Sequence, residues 1–307
     1  MQIRTTLFAA TLAGLAAPAF AACDKVVFSE PGWTDIAATS GVTTVILNAL
    51  GYETELKVLS LPVTFSALAA GDIDVYLGLW MPSMEADFAP YREAGTIDTL
   101  RVNLVGAKYT LATNAPGAAI GIRDFADIAG KAKELDGKIY GIEPGNDGNR
   151  LILDMIAADN FGLKGFELAE SSEQGMLAQV DRATRQGKPV VFLGWEPHPM
   201  NTAYDITYLA GGDEVFGPDF GGAEVMTVTR KGYAAECANV GALLSNLEFS
   251  LTLENEIMAA ILNDGAEPAA AAKAWLAQNP GVLDGWLAGV TTRDGGDARA
   301  AVTAALN

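Results

Sequence analysis

Three tryptophans follow a glycine or end a predicted strand, in segments that favour loops: Trp33 in PGWTD, Trp80 in GLWMP and Trp195 in GWEP. In open parallel sheets the ligand-binding loops gather at the carboxyl ends of the strands. Trp275 and Trp286 lie in a region with helical patterns, and we interpret them as packing residues. Because the faces of aromatic rings attract cations, the first three tryptophans predict a cation site.

A quaternary ammonium group suits such a site, because it has no N–H group to donate and carboxylates alone do not select it. The negative face of a tryptophan or tyrosine ring attracts its diffuse charge and buries its methyl groups. Each ring contributes about 0.5 to 2 kcal/mol. Three or four rings around one cation are therefore sufficient for micromolar binding, after the cost of association.

Few residues indicate an enzyme or a metal site. His198 is the only histidine, and its place between two prolines predicts a turn residue rather than a general base. The sequence has no cluster of cysteines and histidines for a metal, and it has no Gly-x-Ser-x-Gly, Gly-x-Gly-x-x-Gly or P-loop pattern. We predict no catalysis, no metal and no cofactor, although a catalytic pair among the 38 acidic residues stays open.

The N-terminus has the pattern of a secretory signal peptide over residues 1–21, with an apolar run and a small-residue cleavage site after Ala21. In an oxidising compartment the two cysteines, Cys23 and Cys237, are predicted to form one disulfide. Two alternatives stay open: both could be separate buried thiols, or Cys23 could carry a lipid.

Composition excludes one class of partner. The formal charge is -18, and removal of Arg4 with the signal peptide makes it 19 minus 38, or -19. Such an acidic surface, without a basic patch, repels nucleic acid and anionic lipid headgroups. The roughly 285 remaining residues are enough for two domains, each with its own core.

Short strand-like runs alternate with longer helical patterns along the chain, which is typical of βαβ units and an α/β fold. Strands are predicted at residues 25–29, 53–59, 73–79, 108–113, 138–142, 189–193, 205–209 and 223–230. The strand at 108–113 is interpreted as a crossover. Two α/β lobes follow from this pattern: residues 22–112 with 212–307 form lobe I, and 113–211 form lobe II.

Five segments resemble the periplasmic choline-binding proteins of bacterial ABC importers, within the glycine betaine/choline substrate-binding group: PGWTD, LGLWMPSM, KYTLATN, GIEPGNDGNR and GWEPHPMN. The resemblance covers essentially the whole mature chain. It implies a type II clam-shell binding protein with two mixed or parallel sheets and a hinge, located in the periplasm. It also implies a monomer without enzyme activity that delivers choline to the importer's membrane subunits.

The resemblance implies a specific site as well. An aromatic box of Trp33, Trp80, Tyr109 and Trp195 would surround the trimethylammonium head. Asp35 would accept a hydrogen bond from the choline hydroxyl, and Asn146 would add a polar contact. Without the resemblance, a helix N-cap is an equal alternative for Asp35, and the residues alone favour a turn position for Asn146 and a core position for Tyr109.

Asp35 also bears on the choice of ligand. A buried aspartate repels the carboxylate of glycine betaine or proline betaine, and no arginine lies in the segments that supply the box. Choline, which has a hydroxyl and no negative charge, is therefore the predicted ligand, with acetylcholine and betaines weaker. The alternatives are a betaine-binding protein of the same fold and a secreted choline-ester hydrolase, for which no nucleophile and base were found.

Overall fold

The computed structural model describes residues 23–307, and the predicted signal peptide at 1–21 lies outside the described residues. Nine strands are present in this part of the chain. They are β1 (Lys25–Glu30), β2 (Glu53–Val58), β3 (Val75–Met81), β4 (Ile97–Asn114), β5 (Lys138–Tyr140), β6 (Glu167–Ala169), β7 (Val191–Glu196), β8 (Ile206–Tyr208) and β9 (Gly222–Arg230).

Helices alternate with these strands and then dominate the C-terminal third, as the sequence predicts. They are α1 (Thr34–Ala49), α2 (Leu61–Ala70), α3 (Glu85–Ala94), α4 (Ala115–Ala119), α5 (Phe125–Ile128), α6 (Asp147–Ala157), α7 (Glu173–Arg185), α8 (Met200–Ala203), α9 (Asp213–Phe216), α10 (Pro218–Gly221), α11 (Tyr233–Glu236), α12 (Ala238–Asn246), α13 (Leu251–Asp264), α14 (Pro268–Gln278), α15 (Leu283–Trp286) and α16 (Ala298–Leu306). Within residues 23–307, none of the helices has the length and apolar character needed to cross a membrane.

The strands form one mixed sheet in the order β2-β1-β3-β9-β4-β7-β5-β6, with β8 paired to β4. The β1–β2–β3 end and the β5–β6–β7 end are each parallel, as expected for βαβ units. Between them, β9 and β4 run antiparallel to their neighbours. The predicted α/β class is confirmed, and the two parallel ends are joined into a single hydrogen-bonded sheet.

Strand β4 makes this connection, and it is longer than the strand predicted at 108–113. It spans 18 residues and pairs with β9 from Ile97 to Lys108, then with β7 from Lys108 to Thr113. Three register shifts between Thr99 and Ala107 bend its first half, because irregular pairing curves a strand. The polar residues and the glycine of this half interrupt the apolar pattern of a strand, so the sequence analysis did not predict a strand there.

Strand β3 and helix α1 bring two of the predicted site segments together. All residues of β3 except the last are buried, which explains the continuous apolar run VYLGLW. A side chain at Gly78 would meet Ile36 Cδ1 at 2.3 Å. Glycine therefore allows β3 to approach the first turn of α1, where Asp35 lies, and Trp80 follows two residues later.

Cys23 and Cys237 form a disulfide, so this prediction is confirmed. The sulfur of Cys23 is engaged in this bond, and the alternatives of a lipidated Cys23 or two separate thiols do not describe the structure. The bond joins residues 214 positions apart and attaches the start of β1 to the turn before α12.

Replacing both cysteines by serine is expected to lower the free energy of unfolding by about 2 to 4 kcal/mol, because the unfolded chain regains the freedom that a long closed loop removes. Urea unfolding of the oxidised wild type and the double variant measures the difference. Equal midpoints and slopes would contradict a stabilising role of the bond.

Candidate ligand-binding site

The six predicted site residues line a single cavity, which we term the binding cavity. Its walls also include three residues that the sequence did not single out. The lining residues are Trp33, Asp35, Trp80, Met84, Tyr109, Ile142, Asn146, Asp147 and Trp195. Every predicted member is at most 7% exposed. The tertiary structure therefore brings together residues that lie more than 160 positions apart in the chain.

Trp33 and Asp35 occupy the junction between β1 and α1. Trp33 immediately precedes the helix, and its indole Nε1 donates a hydrogen bond of 2.6 Å to Glu143 Oε1. Asp35 lies in the first turn of α1, two residues after Trp33. The alternative of Asp35 as the helix N-cap is therefore wrong, since Trp33 holds that position.

Trp80 links the end of β3 to this junction. Its indole Nε1 donates to Asp35 Oδ2 over 3.2 Å, which orients both the ring and the carboxyl group. The Trp80 ring lies 5.8 Å from the Tyr109 ring, centroid to centroid, at an interplanar angle of 48°. Two walls of the box are thus tilted toward each other rather than stacked flat.

Tyr109 and Trp195 are direct cross-strand neighbours, because β4 and β7 pair in that register. Their ring centroids are 6.4 Å apart with an interplanar angle of 65°, an edge-to-face arrangement. The Tyr109 hydroxyl donates to Asn146 Oδ1 over 3.0 Å. Tyr109 is therefore held in place by its contacts with Trp80, Trp195 and Asn146.

Asn146 caps helix α6 and lines the binding cavity at the same time. Its Oδ1 accepts hydrogen bonds from the Asn149 backbone N–H at 3.1 Å and from Tyr109. Its Nδ2 donates to Asp147 Oδ1 over 3.0 Å. An amide nitrogen carries two N–H groups, so one remains for a ligand.

Asp147 is the residue that sequence reasoning missed, although it stands beside Asn146 in GIEPGNDGNR. It is 1% exposed, and its Oδ2 has no hydrogen-bond partner among the described residues. The Ser83 hydroxyl nearby is directed at the Trp80 carbonyl, at 3.4 Å. Met84 and Ile142 also went unpredicted, since apolar residues in loops give no distinct signal.

Two carboxyl groups thus face the binding cavity, and none of its described lining residues is lysine, arginine or histidine. Burial raises the pKa of Asp35 to about 7, with the negative charge of Glu173 adding to the shift. Burial also raises the pKa of Asp147 to about 6. A cation inside the cavity would stabilise both carboxylates, whereas an anion would be repelled.

His198 lies in the turn after β7, as predicted, and is not among the lining residues. Its Nδ1 accepts from the Met200 backbone N–H at 3.0 Å, so the ring proton is on Nε2. Nε2 then donates to Glu173 Oε1 over 3.2 Å. Its ring contacts Trp195 at a centroid distance of 4.9 Å.

A sequence profile for the substrate-binding domain of ABC-type glycine betaine transport systems, OpuAC, matches residues 24–278. The chain belongs to this family. Among solved structures, it is 64% identical to an ABC-transporter choline binding protein in complex with choline. That similarity covers 93% of this chain and 99% of the other, with a TM-score of 0.92.

Two further OpuAC-type structures are similar. An ABC-transporter choline binding protein in an unliganded semi-closed conformation is 64% identical over 93% of this chain and 99% of the other, with a TM-score of 0.86. Lactococcal OpuAC in its closed-liganded conformation with glycine betaine is 25% identical over 86% of this chain and 99% of the other, with a TM-score of 0.77. At equal identity and coverage, the present structure is thus closer to the choline complex than to the semi-closed form.

These similarities confirm the predicted fold class, a type II two-lobed binding protein. They also confirm membership of a transport family whose members bind substrates for ABC systems. The described geometry supplies what family membership leaves open, namely the chemistry of the binding cavity in this chain.

Proposed function

We propose that this chain captures choline in the periplasm as a monomer and delivers it to the membrane subunits of an ABC importer. In this proposal, residues 22–112 and 212–307 form lobe I, and residues 113–211 form lobe II. Strand β4, which pairs with β9 on one side and with β7 on the other, would carry the hinge. Closure of the lobes would complete the aromatic box, because its members come from both sides of β4.

One observation carries the choice of ligand. The binding cavity combines four aromatic side chains with two buried carboxyl groups, and no positively charged side chain lines it. Ring faces and carboxylates both stabilise a compact organic cation. The 64% identical relative, which is a choline binding protein solved with choline, supports the same ligand.

The two carboxyl groups favour choline over betaines. In the proposed complex, the choline hydroxyl donates to Asp35 or to Asp147 Oδ2, for which the Ser83 hydroxyl is the competing donor. A betaine would instead place its own carboxylate among buried acids, at a high cost in desolvation and repulsion. Acetylcholine lacks the hydroxyl donor and is larger, so it would bind more weakly than choline.

Calorimetric titration of the purified protein is expected to show choline binding at least about tenfold more tightly than glycine betaine, since one lost hydrogen bond to a charged group already accounts for that factor. Ethanolamine is the matched control for the methyl groups, because it keeps the hydroxyl and the charge and loses the surface that the rings bury. Tighter binding of glycine betaine than of choline would contradict the proposal.

A choline-ester hydrolase receives no support from the binding cavity. Among the described residues that line it, none is serine, cysteine or histidine. We therefore expect acetylcholine to remain intact when incubated with the purified protein, which chromatography of the mixture would check.

A further inference from the structure

Glu173 is a buried carboxyl group outside the binding cavity that connects two of its walls. It begins helix α7 and is 1% exposed. Its Oε2 accepts a hydrogen bond of 2.9 Å from the Thr34 backbone N–H, and its Oε1 accepts one from the Thr34 hydroxyl. Oε1 also accepts the proton on His198 Nε2, at 3.2 Å.

Each partner of Glu173 is next to a member of the aromatic box. Thr34 lies between Trp33 and Asp35, so it fixes the first turn of α1. His198 packs edge-on against Trp195, with ring centroids 4.9 Å apart at 69°. Glu173 therefore joins the Trp33–Asp35 segment to the Trp195 wall through hydrogen bonds that the ligand does not make.

The bonds to Thr34 connect opposite ends of the sheet. Thr34 follows β1, whereas Glu173 and His198 follow β6 and β7. Other polar contacts span the same gap, among them Trp33 Nε1 to Glu143 at 2.6 Å, Arg150 to Asp87 at 2.8 Å and Arg150 to the Ser83 carbonyl at 3.0 Å. Glu173 differs from both carboxylates in those contacts because it is fully buried, whereas Glu143 and Asp87 are partly exposed.

Separation of the lobes would return Glu173 and the Thr34 N–H to water, where each is well solvated. In the closed form the carboxylate depends on Thr34 and His198, and its position at the N-terminus of α1 is favourable for a negative charge. The bonds to Thr34 therefore contribute to the closed form and leave the open form unaffected.

We infer that Glu173 is a positioning residue that holds the Trp33–Asp35 segment against the Trp195 wall and thereby slows the release of bound choline. This inference rests on the proposed function. It assigns to Glu173 an effect on dissociation, because the bonds to Thr34 join two segments that must separate before the ligand leaves.

Stopped-flow tryptophan fluorescence with choline tests the inference. Glu173→Gln keeps the shape of the side chain but has only one acceptor oxygen, so it cannot accept all the hydrogen bonds from Thr34 and His198. We expect the dissociation rate of choline from this variant to rise about tenfold. The association rate and the melting temperature of the ligand-free protein are expected to stay close to those of the wild type. Glu134→Gln removes an exposed acid and is the matched control.

Thr34→Val and Thr34→Ser test the same contact from the other side. The valine variant, which loses the hydroxyl, should release choline faster, and the serine variant should restore slow release. Together they keep the test decisive if Glu173→Gln does not fold.

An unchanged dissociation rate in Glu173→Gln and Thr34→Val would overturn this inference and leave the proposed function unaffected. Equal losses in association, dissociation and ligand-free stability would also overturn it, because they indicate a general structural role. If the wild type does not bind choline at all, the proposed function fails, and this inference fails with it.

Discussion

Replacing Trp195 by alanine is expected to weaken choline binding by at least about tenfold while the far-UV circular dichroism spectrum stays native. Trp195 is 4% exposed and forms one wall of the aromatic box. Its loss removes one cation–π contact of about 0.5 to 2 kcal/mol and the apolar surface against which the methyl groups pack, at about 25 cal/mol per Å². Isothermal titration calorimetry of both proteins measures the change.

Trp195 also contacts Tyr109 and His198, so the substitution needs controls for indirect effects. Trp275→Ala is the matched control, because Trp275 lies on α14 and bonds to Glu256, away from the binding cavity. Its affinity for choline should equal that of the wild type. Trp195→Phe, which keeps a smaller ring face, should lie between the wild type and Trp195→Ala. Unchanged affinity in Trp195→Ala would refute the assignment of this residue to the box.

The affinity for choline is expected to fall by at least about tenfold as the pH is lowered from about 8 to about 5. The pKa of Asp35 is raised to about 7 and that of Asp147 to about 6, mainly by burial. In the ligand-free protein these groups therefore hold protons below those values. A bound cation favours the ionised form and lowers both pKa values, so binding releases protons.

Because both carboxyl pKa values are higher in the ligand-free protein than in the complex, the affinity for choline decreases as the pH decreases. Affinity is fully present above about pH 8 and is lost as the pH falls through about 7 and 6, because protons then compete with the cation. Titrations in two buffers of different ionisation enthalpy should show the release directly. Asp35→Asn should bind more weakly at high pH and show a flatter pH profile, with the part due to Asp147 remaining. A profile that is flat in the wild type would show that neither carboxyl group faces the cation.

Under the proposed function, the same two carboxyl groups would account for a preference for choline in a family named for glycine betaine. An aromatic box recognises the trimethylammonium group that choline and glycine betaine share, so the rings alone do not separate the two ligands. Discrimination comes from the groups around the other end of the ligand. In this chain the described polar groups of the binding cavity are two acids and one amide. In the proposed complex, the acids accept the choline hydroxyl and repel a carboxylate.

Local sequence pattern was sufficient to predict the fold class, three of the site residues and the disulfide. The alternation of apolar strands and helices is enough to predict an α/β fold, since strand and helix periods report which residues are buried. Trp33, Trp80 and Trp195 were recognisable because each follows a predicted strand, and the carboxyl ends of strands converge on ligand sites. The pairing of Cys23 with Cys237 followed from their being the only two cysteines.

Other features depended on the tertiary structure. Asp147 and Glu173 are two acids among 38, and no local pattern distinguishes them from solvated ones. Their roles come from burial and from partners far away in the chain, such as Thr34, which is 139 positions from Glu173. The full length of β4 was hidden for the same reason, because its polar first half is stabilised by pairing with the distant β9. Sequence pattern thus predicted the fold class and three of the four aromatic walls, and the family resemblance added Tyr109, Asp35 and Asn146, whereas long-range packing revealed that Asp147 lies beside them.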